Sequence, residues 1–258
     1  MLKRILVIGD VPEAAGKFAA GARRKDLVVH EAQQGDRLPD AAVALLAAGT
    51  KQAELLKTTV TLGNRYQAVL LLLGQALDAR EGKPPGTTER VHEHASRFAQ
   101  ALELDDDDRI ALEHAGYLSE IGKLRIGNEV LIKKSLLTYD EWTLIQSHTT
   151  LGAELLRESD VFIECADIVR CHHECYDGTG YPARIERDAI PRLSRAMRII
   201  DVYCAMTTPR LYRKGFSTHD QAVAYLESER GKHFDPELLD VFIKKKVGKP
   251  FVAPASRP

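Results

Sequence analysis

The chain has 258 residues, 44% of them apolar, and carries a formal net charge of −1 with 28% charged residues. That is enough for a substantial core, in one large domain or in one medium domain behind a small one. The near-neutral balance demands neither nucleic acid nor an acidic lipid surface as partner. No apolar run reaches the roughly 18 residues of a membrane span, and the longest, AVLLLLGQAL at 68–77, fits a buried helix. The start, MLKRILVIGDVP, lacks a signal-peptide cleavage pattern. Cys165, Cys171, Cys175 and Cys204 crowd into the C-terminal half and form no spaced disulfide framework. These features predict a cytoplasmic protein with free thiols.

In chain order, RILVIGD reads as a strand ending in a turn, EAAGKFAAGARRK as a helix and DLVVHEA as a second strand. This β-α-β start predicts a small α/β module over 1–62, resembling a receiver-type domain cut short. Residues 50–62 do not supply the further strands such a domain needs. Asp10, a lone acid after a strand, is read as a turn residue and is given no phosphoryl-acceptor role. The pattern then turns helical. YQAVLLLLGQALDAREG is apolar all round and predicts a buried helix. EGKPPGTT breaks the chain, and ERVHEHASRFAQALEL resumes at helical period. The four acids of DDDDRIALEHAGYLSEIGKL predict a helix start, where carboxylates cap free N–H groups. TYDEWTLIQSHTTLGAELLRES opens with Thr138 and Glu141 at capping-box spacing. VFIECADIVRCHHE, RLSRAMRIIDVYCAMTT, STHDQAVAYLESERG and DPELLDVFIKKK predict four more helices, and 249–258 a flexible tail. The expected fold is mainly α: a helical bundle over 63–248 behind the small N-terminal α/β module.

Histidine is the commonest ligand of divalent transition metals, and carboxylates complete such sites. His148, His172, His173 and Asp201 all fall on predicted helices, from which a bundle can aim side chains into one core site. Two successive histidines on one helix point about 100° apart, so both converge only if neighbouring helices wrap the site. The loop after them, CYDGTGYP, places Asp177-Gly178 and Gly180 where tight turns and positive φ are allowed. Pro182 stiffens its exit and holds Tyr181 extended, on a rim facing a ligand or partner.

HHECYDGTGYP resembles the signature of the HD-GYP family, bacterial proteins related to the HD phosphohydrolases. YLSEIGKLRI resembles the family's LLHDIGKIGI, LTYDEWTLIQSHTTLGAELL its helix with a metal-binding histidine, and RAMRIIDVYCAMTTPRLYR its ARIIxVADVYDALTSxRPYR. GKHFDPELLDVF resembles its closing FDP helix, so the likeness covers about 80 to 248. The resemblance implies an HD-type helical bundle that hydrolyses cyclic di-GMP with two or three metal ions, iron or manganese. It implies that His148, His172 and His173 ligate one ion and Asp201 a neighbouring ion. Lys123 and Asp201 would serve catalysis. Lys123, Tyr181, Pro182, Arg210 and Arg213 would bind substrate, the cations through its phosphates. It also implies contact with a GGDEF-type signalling protein through the GYP loop, and it allows a homodimer.

The chain departs from the pattern at ligands. Ser119-Glu120 stands for the family's His-Asp pair, Thr87 for an upstream histidine, and Lys83 for a glutamate, placing positive charge where a cation would sit. Serine's neutral hydroxyl is a weak ligand for these metals. The surviving set is Glu120, His148, His172 and His173, so fewer ions are expected than in active members, at most one. Loss of a two-metal clamp should cost several kcal/mol of transition-state stabilisation. His92, His94 and His114 are not expected to refill the site, and Cys171, Cys175 and Cys204 are read as packing residues. The expectation is a degenerate member that binds the nucleotide or a partner with weak or no turnover. The alternative is an active metal-dependent cyclic di-GMP phosphodiesterase.

Overall fold

The structure, a computed structural model, describes residues 3–8, 27–32, 51–208 and 217–248. Asp10, the helix expected near 13–25, Arg210, Arg213 and the tail at 249–258 lie outside the described residues. The chain divides into two compact units, 1–69 and 70–258.

In the first unit, β1 (Lys3–Ile8) pairs with β2 (Leu27–Ala32). The pairing is antiparallel, with Lys3 opposite Ala32 and Ile8 opposite Leu27. This corrects the receiver-like expectation. A β-α-β crossover lays its two strands parallel, whereas antiparallel strands are joined by a chain that simply returns.

Ten helices are described: α1 (Lys51–Glu81), α2 (Thr87–Ala101), α3 (Asp106–Leu118), α4 (Asn128–Leu131), α5 (Tyr139–Gln146), α6 (His148–Arg157), α7 (Ile163–Cys171), α8 (Arg192–Thr207), α9 (His219–Ser228) and α10 (Pro236–Lys244). A 3-10 turn at Ile121–Arg125 follows α3. The caps are the ones the sequence advertises. Asp105 accepts from the Asp108 amide at 2.9 Å to start α3. Thr138 and Glu141 form a capping box on α5, as do Thr218 and Gln221 on α9. Each such cap contributes about 1 kcal/mol.

Helices α2, α3, α7 and α8 form the centre of the second unit, with α6 against α7 and with α9 and α10 against α8. Phe98, Leu112, Val169, Ile200 and Tyr203 are buried to 0% exposure, which marks where these helices meet. Phe98 and Tyr203 each set a ring edge-on to Phe242, at 5.3 and 5.4 Å between centroids. Burying side chains of this size contributes about 1.5–3 kcal/mol each.

Two helices differ from expectation. The last turns of α1 are not buried all round. Leu70 and Leu77 are buried, while Leu72 and Leu73 are exposed at 63% and 42%. Only the stripe at helical spacing faces the domain, and there Gly74 lies so close to Thr88 that a Cβ would fall 2.3 Å from its methyl carbon. The helix expected over 138–159 is broken at Ser147. Side chains take the carbonyls there: Ser147 Oγ donates to Leu144, and His148 Nδ1 meets the Ile145 carbonyl at 2.7 Å. Thr149 and Thr150 donate to Gln146 and Ser147 in the same way. Local side-chain bonds of this kind compete with the helical ladder. The break swings His148 to the start of a new helix, where it is buried.

Candidate metal centre

Three imidazoles meet at the centre of the helical unit. His148 opens α6, His172 caps the C-terminal end of α7, and His173 follows it. Ligand-type atoms of the three lie within 4.8 Å of one another, the one such group found among the described residues. Helix α7 ends at Cys171, so the two successive histidines sit in a turn. Their rings approach to 4.0 Å. His148 lies 5.5 and 5.2 Å from them. Gly122 lets the 3-10 turn press on α6, since a Cβ there would lie 1.9 Å from the His148 carbonyl oxygen.

Two of the rings are oriented as metal ligands are. Nδ1 of His148 faces the Ile145 carbonyl and Nδ1 of His172 the Val169 carbonyl, both at 2.7 Å. A carbonyl only accepts, so each ring carries a proton on Nδ1, which leaves a lone pair on Nε2 when the ring is neutral. Both Nε2 atoms are buried without a partner. Glu120 Oε2 lies 3.5 Å from His148 Nε2. Burial and the neighbouring His148 push the His172 pKa down to about 3, and burial lowers His173 as well. Buried imidazole nitrogens without partners beside a carboxylate fit one divalent cation.

The other half of the centre is a cavity of about 270 Å³ lined by Asp78, Glu81, Lys83, Glu120, Lys123 and Asp201. Ammonium groups already stand among its carboxylates. Lys83 Nζ lies 3.0 Å from Glu81 Oε1, 3.4 Å from Glu120 Oε1 and 3.9 Å from Asp78 Oδ1. Lys123 Nζ donates to Glu81 Oε2 at 2.8 Å and meets Glu120 Oε2 at 2.8 Å. Burial alone would raise the Glu120 pKa, but Lys123 and Lys83 together hold it well below the usual carboxylate range. Burial and the negative charge of Glu120 raise Asp201 instead. Asp201 Oδ2 lies 3.8 Å from His173 Nδ1. Ser119 and Thr87 also line the cavity and bring no imidazole to it.

His92, His94 and His114 are engaged elsewhere. His92 stacks on Tyr117 at 3.9 Å, His94 is buried against Tyr203, and His114 meets Phe162 edge-on. All four cysteines are buried and free.

The loop after the histidines closes over them. Tyr181 is half-buried, its ring 4.8 Å from His173 and 6.5 Å from His148. Tyr181 thus forms a partial lid on the imidazoles. The Tyr181–Pro182 peptide is cis. Gly178 has φ 78° and suits the turn as expected. Gly180 serves a different need, because a Cβ there would lie 2.2 Å from the Cys175 nitrogen.

Sequence reasoning missed two residues here. Glu174 is buried at 2% exposure and accepts from the Ala183 amide at 2.6 Å, tying the loop back to the histidine turn. Arg198 reaches from α8 to His173 Nδ1 at 3.2 Å. Its signal was its place, one turn before Asp201 on the same helix.

Comparison with known proteins bears on this centre. The family model described as "HD domain" matches residues 72–238. The cyclic di-GMP phosphodiesterase response regulator RpfG of Xanthomonas campestris is 30% identical over 256 residues, 93% of this chain and 66% of that protein. A cyclic di-GMP phosphodiesterase of Vibrio cholerae is 38% identical over 146 residues, 54% of this chain and 29% of its own length. The 3′3′-cGAMP-specific phosphodiesterase 3 of the same organism is 32% identical over 67% of this chain and 37% of its own length. The chain spans less than two thirds of the length of each of these relatives. A crystal structure of a cyclic GMP-AMP-specific phosphodiesterase from V. cholerae superposes with TM-score 0.54 at 23% identity, over 68% of this chain and 47% of that one, a likeness of fold.

Proposed function

The chain belongs to the HD domain family, and on that premise we propose that it is a degenerate member of the HD-GYP type that binds cyclic di-GMP with weak or no turnover. The observation that carries this reading is the division of the centre. On one side stand two imidazoles with buried, unpartnered Nε2 atoms, and Glu120, 3.5 Å from His148, lies between the two sides. On the other, Lys83 and Lys123 already neutralise the carboxylates that a second cation would need.

In this reading His148, His172, His173 and Glu120 hold a single divalent ion, iron or manganese, and Asp201 is left without most of its co-ligands. Such an ion supplies Lewis acidity toward a phosphate oxygen and toward water. The chain's own residues then bind and orient. Lys83 and Lys123 present positive charge to the cavity. Lys123 must release Glu81 or Glu120 before it neutralises a phosphate, which costs ground already held by two contacts of 2.8 Å. Tyr181 and Pro182 cover the imidazole side and exclude water from it. Arg210 and Arg213 supply further phosphate contacts. The helical domain covers 63–248, a separate N-terminal module precedes it, and a GGDEF-type protein docks on the GYP loop.

The second reading is an active phosphodiesterase, favoured by the intact imidazole cluster and its orphaned nitrogens. One experiment separates the two. The protein is purified without oxygen, loaded with iron or manganese and given cyclic di-GMP, with His173→Ala alongside. Calorimetry reads binding, and chromatography reads pGpG and GMP. Binding without product above the His173→Ala background is expected. Product from wild type alone overturns the degenerate reading in favour of the second, and absence of both binding and product overturns both.

A further inference from the structure

Among the described residues that line the cavity, Tyr117 is the one aromatic side chain. It sits in the last turn of α3 and is half-buried. A ring that served packing alone would be sealed in the core, as Phe98 and Tyr203 are at 0% exposure. The Tyr117 ring is held from behind. His92 of α2 stacks on it at 3.9 Å between centroids, with 16° between the planes. Nδ1 of His92 lies 3.2 Å from the Glu113 carbonyl, which fixes the imidazole in turn. The two helices come this close because Gly116 has no side chain: a Cβ there would lie 2.9 Å from the His92 Cα. Burial lowers the His92 pKa, and burial with the charges of Glu113 and Glu89 pushes the Tyr117 pKa up to about 12. Both rings are therefore neutral at neutral pH.

One face of the phenol is thus covered by an imidazole, and the ring still borders the cavity. The same cavity has apolar wall at Leu77, Val91 and Ala205 and ammonium groups at Lys83 and Lys123. A neutral, pre-oriented ring, apolar wall and positive charge in one cavity match a ligand that joins a flat aromatic base to a phosphate. We propose that Tyr117 is the stacking platform for one purine base of the cyclic dinucleotide, with His92 as its backing. A base on the free face completes a stack of three rings. Stacking reads no hydrogen-bond pattern, since every base has a π-face. Tyr117 therefore contributes affinity and leaves the choice between guanine and adenine to other groups. The inference rests on the nucleotide reading above and deepens it, by naming the residue that takes the base.

The test uses the full chain. Calorimetry reads cyclic di-GMP affinity for wild type, Tyr117→Phe and Tyr117→Leu. NMR of protein with labelled tyrosine rings reads Tyr117 directly, its signals being those missing from Tyr117→Phe. In wild type the Tyr117 ring protons should move upfield when the nucleotide binds, because a base stacked on the ring shields them. Tyr117→Phe keeps the π-face and should bind within about twofold of wild type. Tyr117→Leu keeps an apolar side chain without that face. It should bind about tenfold to a hundredfold more weakly, the usual weight of one base stacked on an aromatic ring. A folded Tyr117→Leu protein that binds as wild type does overturns the proposal. So does an unmoved Tyr117 signal in wild type that binds the nucleotide, whether or not the leucine variant folds. Failure of the nucleotide reading has its own signature: wild type itself binds no cyclic di-GMP, and both then fall together.

Discussion

The ammonium of Lys83 lies 3.4 Å from Oε1 of Glu120, and the other oxygen of that carboxylate faces Nε2 of His148 at 3.5 Å. Glu120 thus stands between a lysine on one side and the imidazole cluster on the other. Burial opposes the charge on Lys83, but Glu120 and Glu81 outweigh it and hold the lysine protonated. Lys83→Glu should turn this tethered cation into a fourth carboxylate beside Asp78, Glu81 and Glu120. The expected result is a second manganese ion per chain, against the single ion proposed for wild type. Metal analysis after gel filtration checks it, and an unchanged ratio would remove Lys83 as the reason for a single ion.

Ion retention should depend on the two imidazoles that are already oriented. A ligand at a hundred times its Kd stabilises the fold by about 2.7 kcal/mol. In a domain of this size that is roughly 5–11 °C in Tm. Saturating manganese should raise the wild-type melting temperature by about that much, and His148→Ala and His172→Ala should abolish the shift. A shift that survives in both variants would place the ion elsewhere.

The two loop glycines should respond unequally to alanine. At Gly180 a Cβ meets backbone on three sides, the nearest atom at 2.2 Å, so the histidine turn must move. Gly180→Ala should cost about 1–3 kcal/mol or more, as overpacking does. At Gly178 the space is open to 3.4 Å and only φ 78° opposes a side chain, a penalty of about 1–2 kcal/mol. Urea unfolding should rank Gly180→Ala as the less stable variant, and it should also bind cyclic di-GMP more weakly, because it displaces Tyr181. Equal losses would mean that the loop adjusts without moving its neighbours.

Acid should weaken the fold through its buried histidines. Burial lowers the His94 pKa to about 4, against 6.5 in the unfolded chain. Between those values the unfolded state binds a proton that the folded state refuses. Stability is then full above about pH 6.5 and falls as pH drops toward 4, by up to roughly 3 kcal/mol from this residue. Denaturation curves at a series of pH values should show the decline, and His94→Gln should make it shallower. An identical slope in the variant would rule His94 out as its source.

Much of this protein is local chemistry written one residue at a time. Asp105, Thr138 with Glu141, and the three histidines announce helix starts and a metal-type cluster without reference to anything distant. Lys83, Thr87 and Ser119 likewise carry, one residue at a time, the expectation that family ligands are replaced. Pairing, termination and approach are different, because they are settled by atoms far apart in the chain. β1 and β2 run antiparallel, a matter of which way the chain returns and not of the strands' own composition. His172 and His173 at the end of α7 meet His148 at the start of α6, a helix that packs against α7. Tyr181 turns inward because Gly180 allows the loop to lie on the histidine turn. Arg198 gains its meaning from His173, 25 residues away in sequence and 3.2 Å away in space. The sequence by itself determined the helices, their caps and the ligand types. The tertiary structure alone decided that Nε2 of His148 and of His172 is left without a partner, because each Nδ1 is taken by a carbonyl across the ring.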